Sequence, residues 1–134
     1  MTKKIIIAVA TLFTLGLITS IPVMAVTESY NWTFYSANGY LSTNSGYKND
    51  NEQNYYLTIN NGNISATNIF GTRIRRASDD ATMSPYALHN SYETSAKYWY
   101  TSTVNTSTLY YMRGKKDDSS TASTQLNVSG RVTY

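Results

Sequence analysis

The chain is expected to fold as an all-β protein, a single antiparallel β-sandwich or small barrel, preceded by an N-terminal signal-peptide helix. Three observations carry that expectation. Several short stretches alternate apolar and polar residues, the side-chain period of a half-buried strand. No stretch after residue 25 sustains apolar residues at helical spacing. Clusters of Asn, Gly, Asp and Ser punctuate the alternating stretches, as in an all-β domain built of short strands.

The N-terminus reads as an export signal. Lys3 and Lys4 precede an apolar run over residues 5–21, which meets Pro22 and the small-residue pattern Val23-Met24-Ala25. That is the n-region, h-region and cleavage-site order of a secretory signal peptide. A membrane anchor is the competing reading, because the run approaches the roughly 20 residues that cross a bilayer; Pro22 and the A-x-A-like site favour removal. Residues 1–25 are therefore expected to be a signal peptide and residues 26–134 one secreted β domain, extracellular or held loosely in the cell wall, with no stable membrane anchor after cleavage.

Taken in order, residues 30–34 place Tyr30, Trp32 and Phe34 on one strand face. Residues 55–60 and 63–68 flank Asn61-Gly62, the pair favoured in a type I′ hairpin turn; pairing Asn60 with Asn63 sets Ile59 opposite Ile64 and Leu57 opposite Ala66. After Ile69 and Phe70 the phase shifts, and a bulge or bend at Gly71 is expected. Residues 78–90 read as a loop, with Asp79, Asp80 and Pro85 as breakers. Residues 96–101 and 106–113 read as a second hairpin, turning at 102–105, with a link over 114–120. The strongest strand signal lies at the end, where Leu126, Val128, Val132 and Tyr134 share one face. Six or seven strands result.

Charge and cysteine content narrow the function classes. Without Lys3 and Lys4, nine Lys and Arg face eight Asp and Glu, a net charge of +1, which gives nucleic-acid binding no support. The absence of cysteine excludes disulfides, thiolate chemistry and cysteine-linked lipid. A cysteine-free exported domain behind a long apolar signal leans towards a Gram-positive bacterium.

Candidate chemistry is sparse. His89 is the only histidine. Ser84 and Ser91 lie near it without a nucleophile-elbow setting, so a solvent-facing loop histidine is the simpler reading. Ordinary zinc sites need more His or Cys than the chain has. The eight acids fall in expected loops or near the chain start, beside turn formers, as solvated groups do. Asn49-Asp50-Asn51-Glu52 offers oxygens of the kind calcium takes but lacks the regular spacing of a calcium loop. Neither a metal nor a cofactor is expected, and no catalytic residue is assigned.

Two clusters remain as candidate binding residues. Arg73, Arg75 and Arg76 form a basic patch able to meet anionic wall polymer or lipid headgroups, with Asp79 and Asp80 close enough to neutralise it; a charged strand face that blunts edge pairing is the plainer reading. Lys115-Lys116-Asp117-Asp118 reads as a self-compensating loop tip. Thirteen tyrosines are all in the secreted part, and Tyr98-Trp99-Tyr100 with Tyr110-Tyr111 put rings on both faces of their strands. Exposed rings serve sugar binding or self-association, whereas half-buried tyrosine also simply packs well in sheets.

The segments Asn63-Ile64-Ser65, Gly71-Thr72-Arg73-Ile74-Arg75, Tyr98-Trp99, Tyr110-Tyr111-Met112-Arg113-Gly114 and Asn127-Val128-Ser129-Gly130-Arg131-Val132-Thr133 resemble the small secreted β-rich proteins of unknown function found in Gram-positive bacteria. That resemblance implies export and a β fold, and no functional residue. The leading expectation is a secreted, non-enzymatic β domain acting by extracellular or cell-wall surface contacts, with wall polymer, another extracellular protein or a sister chain as partner. The alternatives are a bacteriocin-like antimicrobial or membrane-active protein, and a small extracellular hydrolase dependent on His89.

Overall fold

A computed structural model describes residues 25–134; the expected signal-peptide helix lies outside the described residues. The described chain is all β, with nine strands: β1 (Thr27–Phe34), β2 (Tyr40–Ser42), β3 (Gly46–Tyr47), β4 (Asn54–Gly62), β5 (Phe70–Arg76), β6 (Ala87–His89), β7 (Glu93–Trp99), β8 (Leu109–Lys116) and β9 (Leu126–Thr133). They form two antiparallel sheets. The first runs β1-β9-β4-β7 and the second β2-β8-β5-β6, with β3 also on β8. Neither sheet closes into a barrel.

Alternation explains which faces meet. Tyr30 and Phe34 of β1, Leu57 and Ile59 of β4, and Leu126, Val128 and Val132 of β9 are buried, as is Tyr134 just beyond it. From the second sheet Phe70 and Ile74 of β5 and Tyr110 and Met112 of β8 meet them in one core. Phe70 sits 5.9 Å from Tyr30 and 6.2 Å from both Trp32 and Phe34, so one ring joins the two sheets. The inward faces expected for residues 30–34 and 126–134 are the ones observed.

Strand pairing departs from the expectation in four places. First, Asn61-Gly62 is not a turn: β4 runs through it, with Asn61 opposite Ser129 and Gly62 opposite Val128. Gly62 has φ 135°, and a Cβ there would lie 2.1 Å from the Asn127 carbonyl oxygen, so the glycine permits close approach of β9. Asn61 has no positive φ, which a type I′ turn would require. The chain turns instead at Ser65 to Asn68, whose backbones bridge. Asn63 then caps the start of β9, donating to the Gln125 carbonyl at 2.9 Å and accepting from the Asn127 N–H at 2.8 Å.

Second, β7 and β8 are not a hairpin. β7 pairs with β4 in the first sheet, whereas β8 pairs with β5, β2 and β3 in the second. The Gln53 side chain grips the crossing segment at both backbone groups of Val104, at 3.1 and 2.9 Å, as a neighbouring strand would. Third, β5 and β8 stay in register from Phe70 to Arg76, with no bulge at Gly71. That glycine leaves room for Tyr86, whose hydroxyl lies 1.8 Å from where a Cβ would be. Fourth, the expected loop over 78–90 contains β6, which pairs with β5.

Candidate functional site

The pairing of β5 with β8 sets Arg73 opposite Arg113, two like charges side by side. Such an arrangement destabilises a sheet unless something offsets the repulsion. Phe70, Thr72 and Ile74 point inward and are fully buried, so alternation turns Arg73 and Arg75 outward. β8 contributes Arg113 and Lys115 to the same face, β2 contributes Tyr40, and Tyr86 enters from the residue before β6. Together these six side chains line a cleft of about 260 Å³. The Arg113 guanidinium stacks 4.5 Å from the Tyr40 ring centre and the Arg73 guanidinium 5.4 Å from that of Tyr86. Tyr86 is tied down by donating its hydroxyl to Asp117 Oδ2 at 2.8 Å. Burial, the bond to Asp117 and the charges of Asp117 and Asp118 push its phenol well above the ordinary value, so it stays protonated.

Carboxylates neutralise this face unevenly. Arg75 pairs with Asp80 at 2.6 Å and Lys115 with Asp118 at 2.9 Å. Arg113 reaches the Asp80 carboxylate only at 3.3 and 3.4 Å. Among the described residues no carboxylate pairs with Arg73. Both Arg73 and Arg113 also keep a buried Nε without a hydrogen-bond acceptor. The cleft therefore carries more cationic donors than its own residues satisfy.

The expected basic patch is thus partly reassembled. Arg73 and Arg75 share the cleft, whereas Arg76 pairs at 2.6 Å with Asp79. The bond from Arg76, with that from the Ala81 N–H, lowers the Asp79 carboxyl to about 2. Arg113, Lys115, Tyr40 and Tyr86 were not among the expected site residues. The outward turn of Arg113 follows from alternation with Tyr110 and Met112, but not which strand would lie beside it, and Lys115 was placed in a link that β8 in fact runs through.

The expected aromatic cluster divides in the same way. Tyr98 and Tyr100 turn inward, with ring centres 5.5 and 5.3 Å from that of Tyr55, and Tyr100 lies 6.0 Å from the buried Tyr110. These three rings build core. Trp99 is 58% exposed on the outer face of the first sheet, with the Lys97 ammonium 4.9 Å from its ring. Tyr111 faces outward on the second sheet, where its hydroxyl donates to Asp80.

Three solvent readings are corrected. His89 is fully buried; its Nε2 lies 2.8 Å from Thr72 Oγ1 and its Nδ1 2.8 Å from Glu93 Oε1. That order of groups resembles a nucleophile–base–acid relay, yet Thr72 and His89 are both at 0% exposure. Phe70 packs against the imidazole at 5.8 Å and Tyr98 at 5.5 Å, and Tyr98 donates to Glu93. What this arrangement does is pin β5, β6 and β7 together. Ser84 is engaged elsewhere, accepting from the Ile74 N–H at 2.9 Å.

Lys116 likewise is no loop tip: it ends β8, is buried, and donates to the Ala122 and Thr124 carbonyls, both at 2.7 Å. Asp117 is buried beside it, and Glu93 opens β7 instead of sitting in a loop. In the 49–52 segment, the Asp50 carboxylate accepts from the Lys48 ammonium and the Glu52 N–H. Among the described residues no three His, Asp or Glu converge as a metal site would require.

The Glu93 contacts predict an acid response. Burial raises this carboxyl, but the His89 bond and charge and the Tyr98 bond outweigh it, leaving Glu93 below the ordinary value of 4.5. A depressed folded value means stability present above that ordinary value and lost as pH falls through the folded one. The thermal midpoint of residues 26–134 is expected to fall between about pH 5 and pH 3, and Glu93→Gln to remove part of that fall. An identical pH profile for the variant would show that Glu93 carries no such linkage.

Comparison with known protein families, with curated proteins and with solved structures returns no match.

Proposed function

We propose that this chain is exported by a signal peptide at residues 1–25, its helical apolar run included, and works outside the cell as a non-enzymatic binding domain. Its working surface is the outer face of the second sheet, where surface contact with an anionic cell-wall polymer satisfies the basic cleft. One observation carries this reading. Arg73, Arg75, Arg113 and Lys115 gather between two tyrosines in an open concavity, and Arg73 lacks any carboxylate partner among the described residues. The sealing of Thr72 and His89 supports contact over catalysis, because a relay must reach a reacting atom to work.

Retention of residues 26–134 on purified cell wall tests this reading. The protein is expected to pellet with the wall at low salt and to be released as salt rises, since screening weakens exposed charge contacts. The double substitution Arg73→Gln, Arg113→Gln is expected to abolish retention while leaving the thermal midpoint within a few degrees. No retention of the wild type at low salt would sink the proposal. Dye leakage from liposomes at the same concentrations would move the function to a membrane-active protein.

A further inference from the structure

The cleft is specific enough to name the chemistry of its occupant, and the following rests on the surface-contact reading above. We propose that it seats one phosphate group of an extended phosphodiester polymer between the Arg73 and Arg113 guanidiniums, and that Asp80 is the internal carboxylate this phosphate displaces from Arg113.

The pairing of two arginines supplies the first reason. Arg73 and Arg113 occupy opposite positions on adjacent strands, and each guanidinium is held over a tyrosine ring. Guanidinium forks bind phosphate oxygens in pairs, and a ring behind the plane limits how far the fork can swing. An anion lying between the two converts their mutual repulsion into attraction. Arg73 has room for it, having no carboxylate partner among the described residues.

Asp80 supplies the second. Its carboxylate engages Arg75 at 2.6 Å and accepts the Tyr111 hydroxyl, and it also reaches Arg113. The Arg113 contacts, at 3.3 and 3.4 Å, are longer than the roughly 2.7–2.9 Å of a strong charge-assisted bond. A carboxylate offers two oxygens in one plane; Asp80 commits Oδ1 to both Arg75 and Tyr111, and among the described residues Oδ2 reaches only Arg113, at 3.4 Å. A tetrahedral phosphate presents oxygens on several sides and meets Arg73 and Arg113 together. Asp80 is thus a weak competitor for Arg113 and a strong anchor for Arg75.

Size and charge point to a polymer that is not nucleic acid. The cleft, about 260 Å³, is smaller than the roughly 300–1,000 Å³ that encloses a drug-sized ligand. It takes one unit of a chain that continues out of both sides. Tyr40, 59% exposed, offers its ring to a sugar or polyol carbon skeleton at the rim. Among the described residues no basic track leads on from the cleft: Arg76, next along β5, is paired with Asp79, and Lys115, inside the cleft, with Asp118. Nucleic acid binding draws on many phosphate contacts along such a track.

The test is a titration of residues 26–134 with poly(glycerol phosphate), with polygalacturonate as a carboxylate polymer, and with single-stranded DNA, following the arginine Nε–H resonances. Poly(glycerol phosphate) is expected to bind tightest and to shift the Arg73 and Arg113 signals. Arg73→Gln and Arg113→Gln should each weaken it about tenfold or more, the equivalent of losing one charged contact. Asp80→Asn should instead tighten it about fivefold, on the scale of removing a weak competing ion pair. Asparagine tolerates the positive φ of 57° at this turn position, so the variant keeps the fold. Unchanged affinity in Asp80→Asn, equal or tighter binding of polygalacturonate, or tighter binding of DNA would each overturn the assignment. Wall retention that survives both arginine substitutions would refute the phosphate seat while keeping surface contact on another face. Arginine-dependent phosphate binding without wall retention would refute the wall function and keep the seat.

Discussion

Phe70→Ala is expected to lower the thermal midpoint of residues 26–134 by more than any other single truncation in the core. Phe70 is fully buried and stands on β5 of the second sheet, yet its ring packs among Tyr30, Trp32 and Phe34 of β1 in the first. Removing it takes away contacts on both sides of the sheet interface and leaves a cavity that β-sheet backbones cannot collapse into. Losses of about 3–5 kcal/mol are typical for a buried phenylalanine. That is a large share of the roughly 5–15 kcal/mol that keeps a domain folded. The midpoint shift is therefore expected on the order of 20 °C, at about 4–8 °C per kcal/mol for a domain near this size. Phe70→Leu should recover more than half of the loss, because it refills most of the volume. Thermal unfolding by near-ultraviolet circular dichroism measures both. A shift under about 5 °C for the alanine variant would mean that the sheets do not meet at Phe70 as described.

The second large effect comes from adding one methyl group at Gly130. A Cβ at this position would lie 1.9 Å from the Thr58 carbonyl oxygen and 2.7 Å from the Tyr30 hydroxyl. The Tyr30 hydroxyl itself donates to that Thr58 carbonyl at 2.9 Å, so the three groups are locked around the absent side chain. Because the nearest obstacle is backbone in the neighbouring strand β4, no rotamer change relieves the clash. Gly130→Ala is expected to cost about 3 kcal/mol, at the upper end of overpacking losses. Gly39→Ala provides the contrast, since nothing lies within 4 Å of its added Cβ. That change should stay within about 0.5 kcal/mol of the wild type, as surface changes usually do. Equal midpoints for the two alanine variants would refute the close approach of β9 to β4.

The two glycines illustrate what could be read beforehand and what could not. Alternation marked Val128 and Val132 as core residues and left Gly130 between them as a gap with no evident role. Its role depends on Tyr30 and Thr58, which come from strands far away in the chain. Asn61-Gly62 was misread for a related reason. Asn-Gly is a strong local turn signal, but a local signal competes with the longer apolar match that β9 offers to β4, and here the longer match prevailed. Tyr98, Tyr100 and Tyr110 were candidates for contact because their strands carry rings on both faces. Which ring faces the core followed from Tyr55, against which two of them pack.

The site was legible to a similar depth. Arg73 and Arg75 were identifiable as outward neighbours two residues apart. Arg113 was not, because its place beside Arg73 is set by the crossing of β8 into the second sheet. His89 was misjudged because Thr72 and Glu93, its partners, could be recognised only once β5, β6 and β7 had converged.

Composition and period-two alternation alone determined the all-β class, the inward faces of β1 and β9, and the absence of thiol chemistry. Tertiary structure decided which strands are neighbours, which rings are core, and that two arginines meet across a tyrosine-walled cleft. The physical reason is that side-chain alternation is a property of each strand by itself, whereas pairing is a comparison among all strands, settled by burial and backbone approach between residues remote in the chain.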